Sequence, residues 1–217
     1  MKKSLALLAL ASALPLAAQS FEVSALYTWN KPKSGSFSGG GNSYDFTPDT
    51  WKAAGLRFGY TFAKVGLTEF QGNATIQFKN TQDYTLIMNG VTEPYPPGVP
   101  HLTEAYSYWA VGAAASWSLP VRLTAGLEYR SEKLDFSGAG LGASDQSSTY
   151  GRVWLRGGVG YDFKNSSPVT PFVAAEFAFP LTSTSPDYNQ LVADNWESLS
   201  KGVAPKSQYG VNVGIRF

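Results

Sequence analysis

Few side chains in this sequence have the types and spacing that chemistry requires. There is no cysteine, so disulfides and thiolate metal ligation are excluded. The single histidine, His101, ends the proline-rich run Pro94-Tyr95-Pro96-Pro97-Gly98-Val99-Pro100-His101. A zinc site draws its ligands mainly from Cys and His, and a lone loop histidine is ordinarily a solvated side chain. No Gly-x-Ser-x-Gly nucleophile elbow is present. Asp45, Asp49, Asp187 and Asp194 are scattered acids whose spacing makes no dedicated calcium loop. The reading is therefore of a protein that is not an enzyme, with no catalytic residue, no cofactor and no metal ligand.

The chemistry that the sequence does concentrate is ion pairing. Glu22, Arg57, Glu69, Arg122, Glu128, Arg130, Arg152, Arg156, Asp162, Glu176 and Arg216 all fall on the same phase of alternating runs. Both signs are well represented. Charges withdrawn from water are tolerable only when paired. A cross-strand network of salt bridges and hydrogen bonds is expected, filling a narrow interior. The competing reading is an ion or proton path, which would require that network to rearrange.

The elements that must hold these charges read with a period of two, the spacing of strands whose faces meet different surroundings. Phe21, Val23, Ala25, Tyr27 and Trp29 open the first run, and Ala54, Leu56, Phe58, Tyr60 and Phe62 the second. Phe70–Phe78 and Trp109–Trp117 follow, then Val121–Tyr129, Val153–Phe163, Val173–Leu181 and Tyr209–Phe217, each apolar or small at every second position. About eight runs of about ten residues suit strands tilted across hydrocarbon. The links alternate between short, as at 63–66, 118–120 and 164–168, and long and polar, roughly 31–50, 80–105, 134–148 and 182–207. Short turns at one end and long loops at the other mark a transmembrane barrel with periplasmic turns and termini. Tyr84, Leu86, Ile87 and Met88 are expected to extend the second hairpin. Aromatics at Tyr44, Phe46, Trp51, Tyr188 and Trp196 enrich other loops, where exposed rings suit contact with a partner, the outer girdle or loop self-packing.

A soluble lipocalin-like barrel would also alternate. There, however, the charges would face water and the apolar face would point inward. Here the apolar face carries aromatics near its ends, as lipid faces do, and the charged face is rich in Gly and Ala, as a crowded lumen requires. The formal net charge of +1 gives no reason to expect nucleic acid. Lys2 and Lys3, the apolar stretch Ser4–Leu16 and the small-residue site Ala18-Gln19-Ser20 read as a signal peptide over 1–20, with a barrel domain over 21–217. A retained N-terminal anchor is the alternative, but the apolar stretch is short for a spanning helix.

The closing segment, Tyr209-Gly210-Val211-Asn212-Val213-Gly214-Ile215-Arg216-Phe217, resembles the assembly signal of outer-membrane barrels, carried by Tyr209, Val211, Val213, Ile215 and Phe217. Gly55–Phe62 and Gly157–Phe163 are similar to strands of the small outer-membrane barrel superfamily (OmpA/OmpX/OmpW-like), and at the level of architecture the resemblance covers 21–217. It implies an all-β, eight-stranded antiparallel up-and-down barrel in the outer membrane of a Gram-negative cell envelope. It also implies contact with outer-membrane lipid and lipopolysaccharide, and with the insertion machinery. A peptidoglycan-binding domain like that of full-length OmpA is not expected. The expected role is structural or binding, with an extracellular ligand at the loops, as a monomer. The alternative is a narrow, porin-like or OmpW-like channel for a small or apolar solute. A lipid-modifying barrel is remote, since no His–Ser pair falls on a strand as a lipid A deacylase would need.

Overall fold

The computed structural model describes residues 20–39, 42–46, 49–83, 86–88, 91–92, 103–137, 146–163, 166–183 and 204–217. Among the described residues the regular elements are all strands. They are β1 (Ser20–Lys31), β2 (Gly35–Gly39), β3 (Asn42–Phe46), β4 (Trp51–Val65), β5 (Thr68–Asp83), β6 (Leu86–Met88), β7 (Val91–Thr92), β8 (Thr103–Ser118), β9 (Arg122–Ser137), β10 (Gln146–Asp162), β11 (Thr170–Pro180) and β12 (Ser207–Arg216). The signal-peptide reading falls on residues that lie, but for Ser20, outside those described.

Eight strands close a barrel in the order β1-β12-β11-β10-β9-β8-β5-β4. Each is antiparallel to its neighbours, and the first pairs with the last from Glu22↔Arg216 to Lys31↔Ser207. Closure satisfies the backbone groups that an open edge would strand in hydrocarbon. At one end the links are tight. Gly66 and Leu67 turn β4 into β5, with Gly66 at φ 60°, a backbone region glycine enters at little steric cost.

Side chains alternate across the wall as the sequence pattern requires. Outside, Leu56, Val111, Leu127, Val159, Val211 and Val213 are exposed; inside, Arg57, Glu128, Arg130, Trp154 and Asn212 are buried. A barrel wrong side out for water is right side out for lipid. Two outward aromatic bands flank the apolar belt. Phe21–Tyr60 and Tyr161–Phe163 stand at the short-turn rim, with ring centroids 5.1 and 5.2 Å apart. Tyr27–Trp29 and Trp109–Tyr129 stand at the other rim, at 4.9 and 6.2 Å. Rings at both interfaces are expected of a transmembrane barrel.

Two features depart from the sequence reading. First, the longest strands exceed the expected ten residues: β5, β8 and β9 have 16 and β10 has 17. They continue past the outer aromatic band, where the outward face carries Lys79, Lys133 and Asp135 rather than apolar groups. Polar residues on both faces erase the alternation there. Second, the links 31–50 and 80–105 are not plain loops. They contribute a separate four-stranded sheet, β2-β3-β6-β7. Leu86–Met88 do not extend the β5 hairpin; Tyr44 pairs with Met88 and Phe46 with Leu86. The partner strand lies in another loop, and periodicity within one segment carries no information about it. Tyr84 lies outside the described residues.

Candidate functional site

The lumen is the only place where the described residues gather charge in quantity. Its floor, at the short-turn end, joins four barrel strands. Arg122 Nη1 on β9 donates to Glu22 Oε2 on β1 at 2.9 Å, and Arg216 Nη2 on β12 donates to the same oxygen at 3.2 Å. Arg216 Nη1 also donates to Asp162 Oδ2 on β10 at 3.3 Å and lies 4.0 Å from Glu69 Oε2 at the rim. The Arg122 guanidinium lies 4.6 Å from the centre of the Phe172 ring.

The middle layer centres on Glu176 of β11. Arg57 Nη1 reaches its two oxygens at 2.5 and 2.6 Å, Arg156 Nη1 donates at 3.1 Å and Asn212 Nδ2 at 3.0 Å. Arg57 Nε is held by Thr75 Oγ1 at 3.0 Å. Arg156 reaches the next acid as well, 3.6 Å from Glu128 Oε2, and Arg130 Nε donates to Glu128 Oε1 at 2.6 Å. Space for Glu128 depends on Gly112, where a Cβ would lie 2.7 Å from Glu128 Cβ. Beside this layer a neutral cluster ties β1, β5, β8 and β12 together. Thr28 Oγ1 and Asn30 Nδ2 donate to Gln77 Oε1 at 2.8 and 3.0 Å, and Gln208 Nε2 donates to the Tyr108 hydroxyl at 3.0 Å.

The outer layer is built around Glu132. Arg152 binds it through two bonds of 2.6 Å, Trp154 Nε1 donates at 3.2 Å and the Tyr106 hydroxyl at 2.5 Å. The Arg130 guanidinium is stacked between Tyr108, at 4.3 Å, and Trp154, at 4.0 Å; Arg152 lies on Trp154 at 4.7 Å. Arginine suits these positions because its planar fork pairs with a carboxylate while its faces stack on rings. Above, Trp51, Tyr106, Tyr108, Leu134 and Tyr150 form a buried apolar cluster with Ala204.

The structure thus brings together Glu22, Arg57, Arg122, Glu128, Arg130, Arg152, Arg156, Asp162, Glu176 and Arg216, and places Glu69 at the edge of the floor. Sequence reading missed two buried acids, Glu132 and Glu104. Glu132 continues the phase of Glu128 and Arg130, so following β9 one step further would have found it. Two cavities flank the Arg156–Glu176 pair. Each holds about 10 Å³, lined on one side by Thr28, Arg57 and Gln208 and on the other by Gln71, Ser116 and Asn212. That is room for about one water each.

Tyr209, Val211, Val213, Ile215 and Phe217 all stand exposed on the outside of the barrel at β12, and the Phe217 N–H donates to Phe21 O at 2.9 Å. Among the loop acids, Asp49 is exposed and Asp45 lies in β3, paired with Ser36 and Ile87. His101, Asp187, Tyr188, Asp194 and Trp196 lie outside the described residues.

No protein-family model matches this sequence, and no curated protein is similar to it in sequence. Solved structures do match in shape. The outer membrane protease OmpT from Escherichia coli aligns at a TM-score of 0.53 and 10% identity, over 95% of this chain and 99% of that one. A major outer membrane protein from Thermus thermophilus aligns at 0.50 and 11% identity, over 92% and 98%. Neisserial surface protein A aligns at 0.47 and 13%, over 92% and 96%. At these identities the likeness to the first two is one of fold, that of the outer-membrane β-barrel.

Proposed function

We propose that this chain is an outer-membrane barrel with a closed lumen, which works through its long-loop face as a structural or binding protein and performs no catalysis. The observation that carries the reading is the pairing of opposite charges along the interior. Arginines on β4, β9, β10 and β12 each meet a carboxylate, and the two cavities beside the Arg156–Glu176 pair are water-sized. An eight-stranded barrel has an interior just wide enough for side chains to fill, and here those side chains are tied across strands. Among the described residues the inward acids other than Glu104 are committed to cationic partners, which argues against general acid–base chemistry in the paired layers of the lumen. The loop sheet β2-β3-β6-β7 supports the binding part of the reading, since loops that build a sheet present a defined surface.

Two assays on one preparation test this. Proteoliposomes challenged with small sugars and amino acids are expected not to swell, and lipid A from cells that express the protein is expected to keep its mass. Swelling at a rate that scales with protein content would overturn the closed lumen. A new lipid A species that depends on the protein would overturn the non-enzymatic reading.

A further inference from the structure

Above the outer aromatic band the wall of the described residues continues where β5, β8, β9 and β10 rise together. Its outward face carries Lys79 and Lys133, both about half exposed, at 2.9 and 3.2 Å from Asp135. Three charges on that face place this level outside the hydrocarbon. Glu104 stands on β8 at the same height, opposite Phe136 of β9 and Gln82 of β5. Unlike Asp135, it is turned inward and is 1% exposed. Its Oε1 has no hydrogen-bond partner.

Among the described residues its surroundings offer no cation. From β4 comes Trp51, whose ring centre is 5.3 Å from that of Tyr106. On the same buried face at this end lie Tyr106 and Tyr108 of β8, Leu134 of β9, Ser148 and Tyr150 of β10 and Asn30 of β1, and Trp51, Tyr106, Tyr108, Leu134 and Tyr150 cluster together. The titratable group that senses Glu104 is the Tyr150 hydroxyl; the Tyr106 hydroxyl is turned to Glu132 beneath. The charged pair beneath, Glu132 and Arg152, is closed on itself at 2.6 Å. Trp51 Nε1, Ser148 Oγ and Tyr150 Oη share the condition of Glu104, buried without a partner. This is the one inward acid of the described residues that no arginine or lysine answers.

We propose that Glu104 is a pH-sensitive latch on the long-loop end of the lumen: protonated, it lets the layer of Trp51, Tyr106 and Tyr150 pack shut; ionised, it forces that layer to admit water. A carboxyl held out of water resists ionisation, and burial alone pushes Glu104 up to about 8. The group therefore titrates within the range that an exposed surface protein meets, while the acids below it are paired with arginines. The latch does not depend on whether the lumen conducts.

The test uses the full chain in proteoliposomes, titrated from neutral to alkaline pH. Infrared difference spectra should show a protonated-carboxyl C=O band that disappears around pH 8. Acrylamide quenching of tryptophan should rise over the same range as Trp51 becomes wet. Glu104→Gln should remove both changes and keep quenching at its low level throughout. The proposal is overturned if no protonated-carboxyl band is present at neutral pH, or if the quenching transition persists in Glu104→Gln. Should Glu104→Gln fail to insert, Glu104→Asp replaces it; the infrared band must then move to a new midpoint, and an unchanged midpoint overturns the proposal equally.

Discussion

Replacing Glu176 by alanine tests the middle layer of the lumen most severely. Glu176 accepts two bonds from Arg57, one from Arg156 and one from Asn212. The loss is not shared evenly. Arg156 keeps Glu128 at 3.6 Å, and Asn212 is neutral. Arg57 loses its direct ion pair and is left with Thr75 Oγ1 and the more distant charge of Glu128, which Arg130 and Arg156 already share. Removing one member of a buried pair costs about 3–5 kcal/mol, whereas replacing both by apolar groups of similar volume is often close to neutral. Glu176→Ala is thus expected to destabilise by about 3–5 kcal/mol. Adding Arg57→Met should recover most of that, because the orphaned charge is gone. The assay is urea-induced unfolding in lipid vesicles, followed by tryptophan fluorescence and by the heat-dependent shift of the folded barrel in gel mobility. If the double variant is as unstable as the sum of the two singles, the penalty does not come from an orphaned Arg57 and the reasoning fails.

Three further outcomes follow from the same geometry. Glu132→Ala, at a side chain 0% exposed, leaves Arg152, Trp154 Nε1 and the Tyr106 hydroxyl without their acceptor and should cost about 3–5 kcal/mol in the same assay; an unchanged midpoint would contradict the outer layer. Leu155 pairs with Leu127 and Phe179 on the lipid side, so Leu155→Arg should cost roughly 2–4 kcal/mol, and a spin label at 155 should be relaxed by lipid-soluble oxygen rather than by aqueous nickel chelate. Glu104 has a folded pKa above its ordinary value, so its contribution to stability is complete at acid pH and is lost as pH rises towards about 8; the difference in urea midpoint between wild type and Glu104→Gln should shift in that direction with pH and level off above it.

The sequence disclosed the barrel because the bilayer imposes one period on every strand. Lipid outside and ion pairs inside separate Leu56 from Arg57 and Leu127 from Glu128 without ambiguity. Where the wall leaves the hydrocarbon that contrast disappears, so the upper reaches of β8, β9 and β10 went unread, and with them Glu104 and Glu132. Pairing choices were equally hidden. Arg57 and Glu176 stand 119 residues apart in sequence, and which arginine meets which acid depends on the stagger of strands around the barrel. The loop sheet escaped notice for a related reason, because β3 and β6 belong to different links and each is too short to alternate visibly. What remained legible was the inventory of inward charges, since phase alone assigns a residue to a face.

Single-channel recording in planar bilayers tests the closed lumen most directly. With purified, fully heat-modifiable protein the account predicts a baseline without reproducible steps at moderate voltage. Stable unitary steps of one size, present in wild type and altered in amplitude by Glu176→Gln, would show that ions pass the Arg57–Glu176–Arg156 layer and would contradict it.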